Sequence, residues 1–144
     1  MPVNRVPSKD ISFAIDDSDG TLRVLTGVTE VSGLPGVKEH IEATAVGDGG
    51  AQWIESLQRV EFTVSGWYDT TTNTGTKPVL SGIRDKTDYE GTFEYGPEGG
   101  ASTKEKISGE AVMVDLDYIT RLGEVVGFRA LFKVAGVVTF GTYS

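Results

Sequence analysis

EVVGFRALFKVAGVVTFGTYS, residues 124–144, is the stretch on which the reading of this chain turns. In steps of two, Val126, Phe128, Ala130, Phe132 and Val134 fall on one side, and Gly127, Arg129, Leu131 and Lys133 on the other. A helix would scatter both sets around its axis, whereas a strand, whose side chains alternate, separates them. The pattern predicts a long, half-buried antiparallel strand. Just upstream, KISGEAVMVDLDYITR (106–121) alternates as well, with Val112, Val114, Leu116 and Tyr118 against Met113, Asp115, Asp117 and Ile119. LGEV (122–125) between them reads as a hairpin turn.

Working outward, ISFAI (11–15) and TLRVLT (21–26) flank DDSDG (16–20) as a second hairpin. VKEHIEATAV (37–46) alternates, Val37, Ile41, Ala43 and Ala45 against Lys38, His40, Glu42 and Thr44, and so does RVEFTVSGWY (59–68). Between these two, GDGGAQWIESLQ (47–58) reads as a loop too long for a tight turn and tipped with Trp53, Ile54 and Leu57. Such a loop is expected to pack on something. TKPVLSGIRDKTD (76–88) places Val79, Leu80 and Ile83 at helical spacing with Pro78 near the start, one short helix. TFEYG (92–96) is a further strand. The fold class expected is mainly β, an antiparallel β-sandwich or barrel with one short α-helix. Residues 1–10 are expected as an extended arm and residues 11–144 as a single domain.

The totals suit that reading. The chain has 144 residues, enough for one domain with a core of its own, and its 19 glycines go with many turns. It has no cysteine, which removes disulfides and thiolate chemistry together. The formal charge of −8 opposes tight binding to a phosphate backbone. A surface past which DNA must slide without sticking would carry this sign. The first ten residues, MPVNRVPSKD, lack the apolar core of a signal peptide, and no apolar run approaches the roughly 20 residues of a membrane helix. The expected place of synthesis is a cytoplasm.

The motifs that would indicate chemistry fail one by one. FEYGPEGG (93–100) has the glycines of a phosphate cradle, but Lys104 follows Thr103 rather than glycine, and Glu105 stands where Ser or Thr is needed. GDGGAQ misses the dinucleotide fingerprint at Gln52. DDSDG aligned on Gly20 as a calcium loop would begin at Ile15 and end at Thr26, so it reads as a solvated turn built on aspartate side chains. His40 is the only histidine, too few for a triad or a metal cage. Asp115 and Asp117 are neighbours on one strand face, but that face supplies no supporting polar network for acid–base catalysis. No enzyme and no cofactor are expected. Two readings of the residues stay open. One is a subunit whose sheet edges and apolar loop are met by neighbours. The other is a closed monomeric β-barrel binding an apolar ligand.

The order of these pieces resembles the tail tube proteins (major tail proteins) of phages with long, non-contractile tails. LTGVTEVSGLPGVKEHIEATAVGDGG (25–50) resembles the family's first tube hairpin arm, with Thr44, Gly47 and Asp48 in a Thr-x-x-Gly-Asp element. VEFTVSGWYDTT (60–71) is similar to its returning strand, EYGPEGGASTKEKISGEAVM (94–113) to its proline–glycine turn and next strand, and FRALFKVAGVVTFGT (128–142) to its closing strand. The likeness covers roughly residues 22–143. One departure is Ser56 before Leu57, where the family often has glycine. No added C-terminal immunoglobulin-like domain follows, so the expected tube is plain outside.

The resemblance implies hexameric rings, with sheets joined edge to edge around a channel, stacked into a virion tail tube assembled in the host cytoplasm. It implies a loop, here Gly47, Asp48, Trp53, Ile54 and Leu57, that contacts the next ring or subunit. DNA would pass without specific binding, and a tape measure protein and a tail terminator are the implied partners. Candidate channel-lining acids are Glu42, Glu61, Asp115 and Asp117, with Lys38, Arg129 and Lys133 pairing with them or facing neighbours. A tube of a contractile tail or secretion apparatus shares the architecture.

Overall fold

The alternation at the C-terminal end of the chain produces a long hairpin around which the other strands assemble. The computed structural model describes Arg5 and residues 11–144, the side chains of residues 56–58 excepted. Apart from Arg5, the expected arm over 1–10 lies outside the described residues. The elements in chain order are β1 (Ser12–Asp16), β2 (Leu22–Val24), β3 (Val28–Ser32), β4 (Lys38–Glu42), β5 (Trp53–Gln58), β6 (Glu61–Trp67), α1 (Thr76–Arg84), β7 (Glu90–Gly96), β8 (Glu105–Ile119) and β9 (Gly127–Thr142). Seven strands form one antiparallel sheet in the order β2-β1-β7-β8-β9-β6-β3, and β4 and β5 pair only with each other.

The sheet's two edge strands, β2 and β3, are consecutive in the chain. Only Leu25, Thr26 and Gly27 join them. Seven strands laid flat would hold the edges about 29 Å apart, while that connection spans at most about 14 Å. The sheet must therefore roll until its edges approach. Rolling brings Phe13 of β1 within 5.9 Å of Phe62 of β6, ring centre to ring centre, although three strands lie between them in the sheet. Phe62 also meets Phe93 at 4.8 Å and stacks on Phe132 at 5.1 Å. These rings and Phe128 are fully buried, and Val79, Leu80 and Ile83 of α1 cap the same core. β2 and β3 form no ladder with each other, so the result is sandwich-like rather than a closed barrel.

A polar lock holds the rolled edges. Thr26 bonds to the Thr74 carbonyl through its amide (3.0 Å), and its hydroxyl donates to Asp69 at 3.0 Å. Trp67 donates its amide to the Gly27 carbonyl at 2.8 Å. Thr76, the first residue of α1 and 2% exposed, accepts from the Asp69 amide and donates to the Trp67 carbonyl, both at 2.9 Å. Gly75 must be glycine here, since a Cβ would lie 2.4 Å from the Asp69 carbonyl oxygen.

Three expectations need correction. Residues 53–58 are not loop: Trp53–Gln58 is the second strand of a two-stranded arm, with Ile54 opposite Ile41 and Trp53 opposite Glu42. The alternation of 106–121 is not strict either. A bulge between Met113 and Asp115 switches the inward set, so Ala111 and Met113 precede it and Leu116 and Tyr118 follow it, and Val114 is exposed. β3, whose register shifts between Val28 and Glu30, has no clean period and was not expected as a strand. The terminal hairpin, the helix and the β1–β2 hairpin stand where the pattern put them.

DDSDG is the side-chain turn expected. Asp17 accepts from the Asp19 and Thr21 amides (2.9 and 3.0 Å) and from Arg23 Nε (3.0 Å). Desolvation pushes its pKa up, but these bonds outweigh it and hold the carboxyl below the ordinary 3.8. Asp69 is held below 3.8 as well, by the hydroxyl and amide of Thr71 and the hydroxyl of Thr26. Both lowered groups stabilise the folded chain above the ordinary aspartate range, and that contribution disappears as pH falls through it. The double change Asp17→Asn, Asp69→Asn should therefore lower the urea midpoint at about pH 6, with the gap to wild type narrowing as pH falls through and below the ordinary aspartate range. Phe62→Ala, by emptying the centre of the aromatic cluster, should cost about 3–5 kcal/mol of unfolding free energy, read from the same titration.

Candidate functional site: surfaces for assembly

The outer side of the rolled sheet is built by register. Across β6, β9 and β8, Thr63, Leu131 and Asp115 form one row, Ser65, Arg129 and Asp117 the next, and Trp67, Gly127 and Ile119 the last. Glu61 sits opposite Lys133, and their charged atoms are 3.7 Å apart. Glu30, Glu90, Glu94 and Glu110 extend the same side onto β3, β7 and β8. Across β3, β6, β7, β8 and β9, seven carboxylates thus face outward against three cations, Lys106, Arg129 and Lys133. The surface is acidic because the inward positions of these strands are taken by the core, which leaves the charged residues on the other side of each pleat.

Of the four acids singled out from the sequence, Glu61, Asp115 and Asp117 share this face. Glu42 does not; it lies on the arm beside Trp53. Gly47 and Asp48 form the arm's turn, where Asp48 accepts from the Ala45 amide at 2.7 Å. Trp53 and Ile54 are on the second arm strand, each 60% exposed, with Val37, Ile41 and Val46 also exposed. Leu57 belongs to the same strand, but its side chain is outside the described residues. No described residue of β4 or β5 joins either core cluster. Ion pairs link the arm to itself and to its base, Lys38–Glu55 and Arg59–Glu39, both at 3.5 Å. Exposed pairs of this kind contribute little stability, and an isolated two-stranded hairpin is marginal in water.

A second apolar surface was not foreseen. Trp67 and Ile119 stand on either side of Gly127, whose missing side chain leaves a depression of about 300 Å³ between them, rimmed by Arg121, Glu124 and Val125. The sequence did carry a signal: Trp67 and Ile119 are large apolar residues on the polar face of alternating strands. The interior, by contrast, is occupied by five buried phenylalanines, Phe13, Phe62, Phe93, Phe128 and Phe132. Because Trp53 and Ile54 are each well exposed and outside both core clusters of the described residues, Trp53→Ala and Ile54→Ala should each shift the unfolding free energy of the isolated subunit by less than about 0.5 kcal/mol, as measured by urea denaturation.

No protein-family model matches the chain, and no curated protein sequence does. Solved structures do. A chain from the tail of an empty gene transfer agent particle, refined with C6 symmetry, superposes with a TM-score of 0.71 at 12% identity, covering 96% of this chain and 100% of that one. The SPP1 tail tube gives 0.68 at 10% identity over 96% of this chain and 80% of that one. The sheath–tube complex of an extracellular contractile injection system gives 0.62 at 13% identity, with 96% and 93% covered. The rolled sheet with its hairpin arm and single helix is thus the tail-tube fold.

Proposed function

We propose that this protein is a structural subunit that assembles with itself into stacked rings, forming the tube of a phage-like tail through which DNA is delivered. The observation that carries the reading is the arm: a two-stranded extension that exposes Ile41, Trp53 and Ile54 among its charged residues and, among the described residues, joins neither core cluster. Surfaces of this kind are covered by a partner. The tail-tube fold supplies the partner, another copy. Sixfold rings are supported by the C6 symmetry of the similar gene transfer agent tail. The acidic outer face suits a channel wall, because its excess of carboxylates over cations repels phosphates. In this reading Glu61, Asp115 and Asp117 line the channel, and the arm, with Trp53 and Ile54, meets the next ring. A tape measure protein and a terminator complete the tail.

A second reading has an observation of its own. The tube-terminating cap of the anti-feeding prophage also matches, with a TM-score of 0.64. A cap ends a tube, whereas a tube protein propagates one.

Negative-stain electron microscopy of the concentrated protein beside a sizing column separates these. Hollow rods are the expected result; rings that never stack favour the cap, and a monomer at every concentration argues against self-assembly. Trp53→Asp should abolish rods while leaving the subunit folded, and rods of normal length from that variant would refute the arm's role. Asp115→Lys with Asp117→Lys should give tubes that assemble but deliver DNA poorly, and normal delivery by such particles would remove both residues from the channel wall.

A further inference from the structure

The apolar arm and the apolar depression belong to opposite ends of one strand. β6 begins at Glu61, where the chain returns from the arm, and ends at Trp67, which walls the depression. Its seven residues set these two ends about 20 Å apart. No described arm residue lines the depression, and Trp53 remains 60% exposed. The chain therefore carries, at opposite poles, an unpartnered aromatic projection and a hollow with room for one aromatic side chain.

Their charges correspond as well. On the arm, Glu42 lies directly across from Trp53, and Glu55, which also pairs with Lys38, is the next residue on the same face. At the depression, Arg121 stands on the rim and Arg129 is directly opposite Ser65 of the lining, with Asp117 across the ladder on its other side. Neither arginine is in an ion pair among the described residues. Glu124 is the one carboxylate of the lining.

We propose that the Trp53 face of the arm docks in the Trp67–Ile119–Val125 depression of a second copy, stacked head to tail, with Glu42 and Glu55 facing Arg121 on its rim. The inference rests on the tube reading and names the surface that receives the arm. A contact whose two halves lie at opposite poles repeats without closing on itself, so it generates an open linear stack. An aromatic anchor in a pocket flanked by charge pairs is the arrangement that carries most of the affinity in an interface.

The chain has no cysteine, which makes cross-linking clean. Glu55→Cys and Arg121→Cys subunits are mixed, assembled and oxidised, beside a control mixture of Glu55→Cys with Lys104→Cys. A disulfide needs Cα atoms within about 7 Å, so the first mixture should yield at least about tenfold more cross-linked dimer than the control. Rods that form without this cross-link, or that cross-link equally in both mixtures, overturn the docking and leave the tube reading intact. Absence of any assembly by the wild-type protein overturns both. Independently, Trp67→Asp should raise the concentration needed for rods by about tenfold or more, with Trp67→Phe close to wild type. Circular dichroism and the urea midpoint confirm that each variant folds. Rods from Trp67→Asp at the wild-type concentration count against the depression.

Discussion

A three-residue connection governs this molecule. Because Leu25–Gly27 must carry the chain from one edge of the sheet to the other, the sheet has no freedom to lie flat. Everything in the interior follows from that closure. Phenylalanines from strands far apart in the sheet meet as tilted rings, and the helix is held onto the same cluster by the Asp69–Thr76 hydrogen bond at its start. Buried aromatic area supplies the driving force, but the lock around Thr26 and Asp69 decides which shape that burial takes.

Closure also determines what is left outside. A rolled sheet has one inner and one outer side, and once the inner side is filled with Phe13, Phe62, Phe93, Phe128 and Phe132, every charge on those strands must stand on the other. The acidic surface is thus a by-product of alternation around a full core as much as a separate device. The arm is the exception. It leaves the sheet between β3 and β6, pairs only with itself, and keeps its apolar groups in water.

How far the sequence could be read depended on how local the cause was. The β8–β9 hairpin and the helix were legible because their periods run along the chain: Phe128, Ala130 and Phe132 at every second position, Val79, Leu80 and Ile83 at helical spacing. The second arm strand was missed because both its faces are exposed, so no period marks it. The bulge at Val114 was hidden because one unpaired residue reverses the faces without leaving a composition signal. The Thr26–Asp69 bond joins residues 43 positions apart, and nothing near either one announces the other. The surfaces divide the same way. Alternation alone puts Glu61, Asp115 and Asp117 on exposed strand faces, but it cannot tell that Glu42 belongs to a different sheet. The Trp67–Gly127–Ile119 row exists only once the register of three strands is known.

The marginal arm has a kinetic meaning. A hairpin held by its own cross-strand pairs and a few exposed ion pairs stays cheap to distort while the subunit is free. Two free subunits that meet must each fix an arm and hold it long enough for a contact to form, and the ordering of both opposes the start. In the stack proposed above, the receiving surface at its end would already be a fixed part of a packed assembly, so only one arm would remain to be ordered. Under that proposal growth would be faster than initiation, and length would be governed by how many starts the surroundings permit. A chain built this way can accumulate as separate subunits without depleting itself into short fragments.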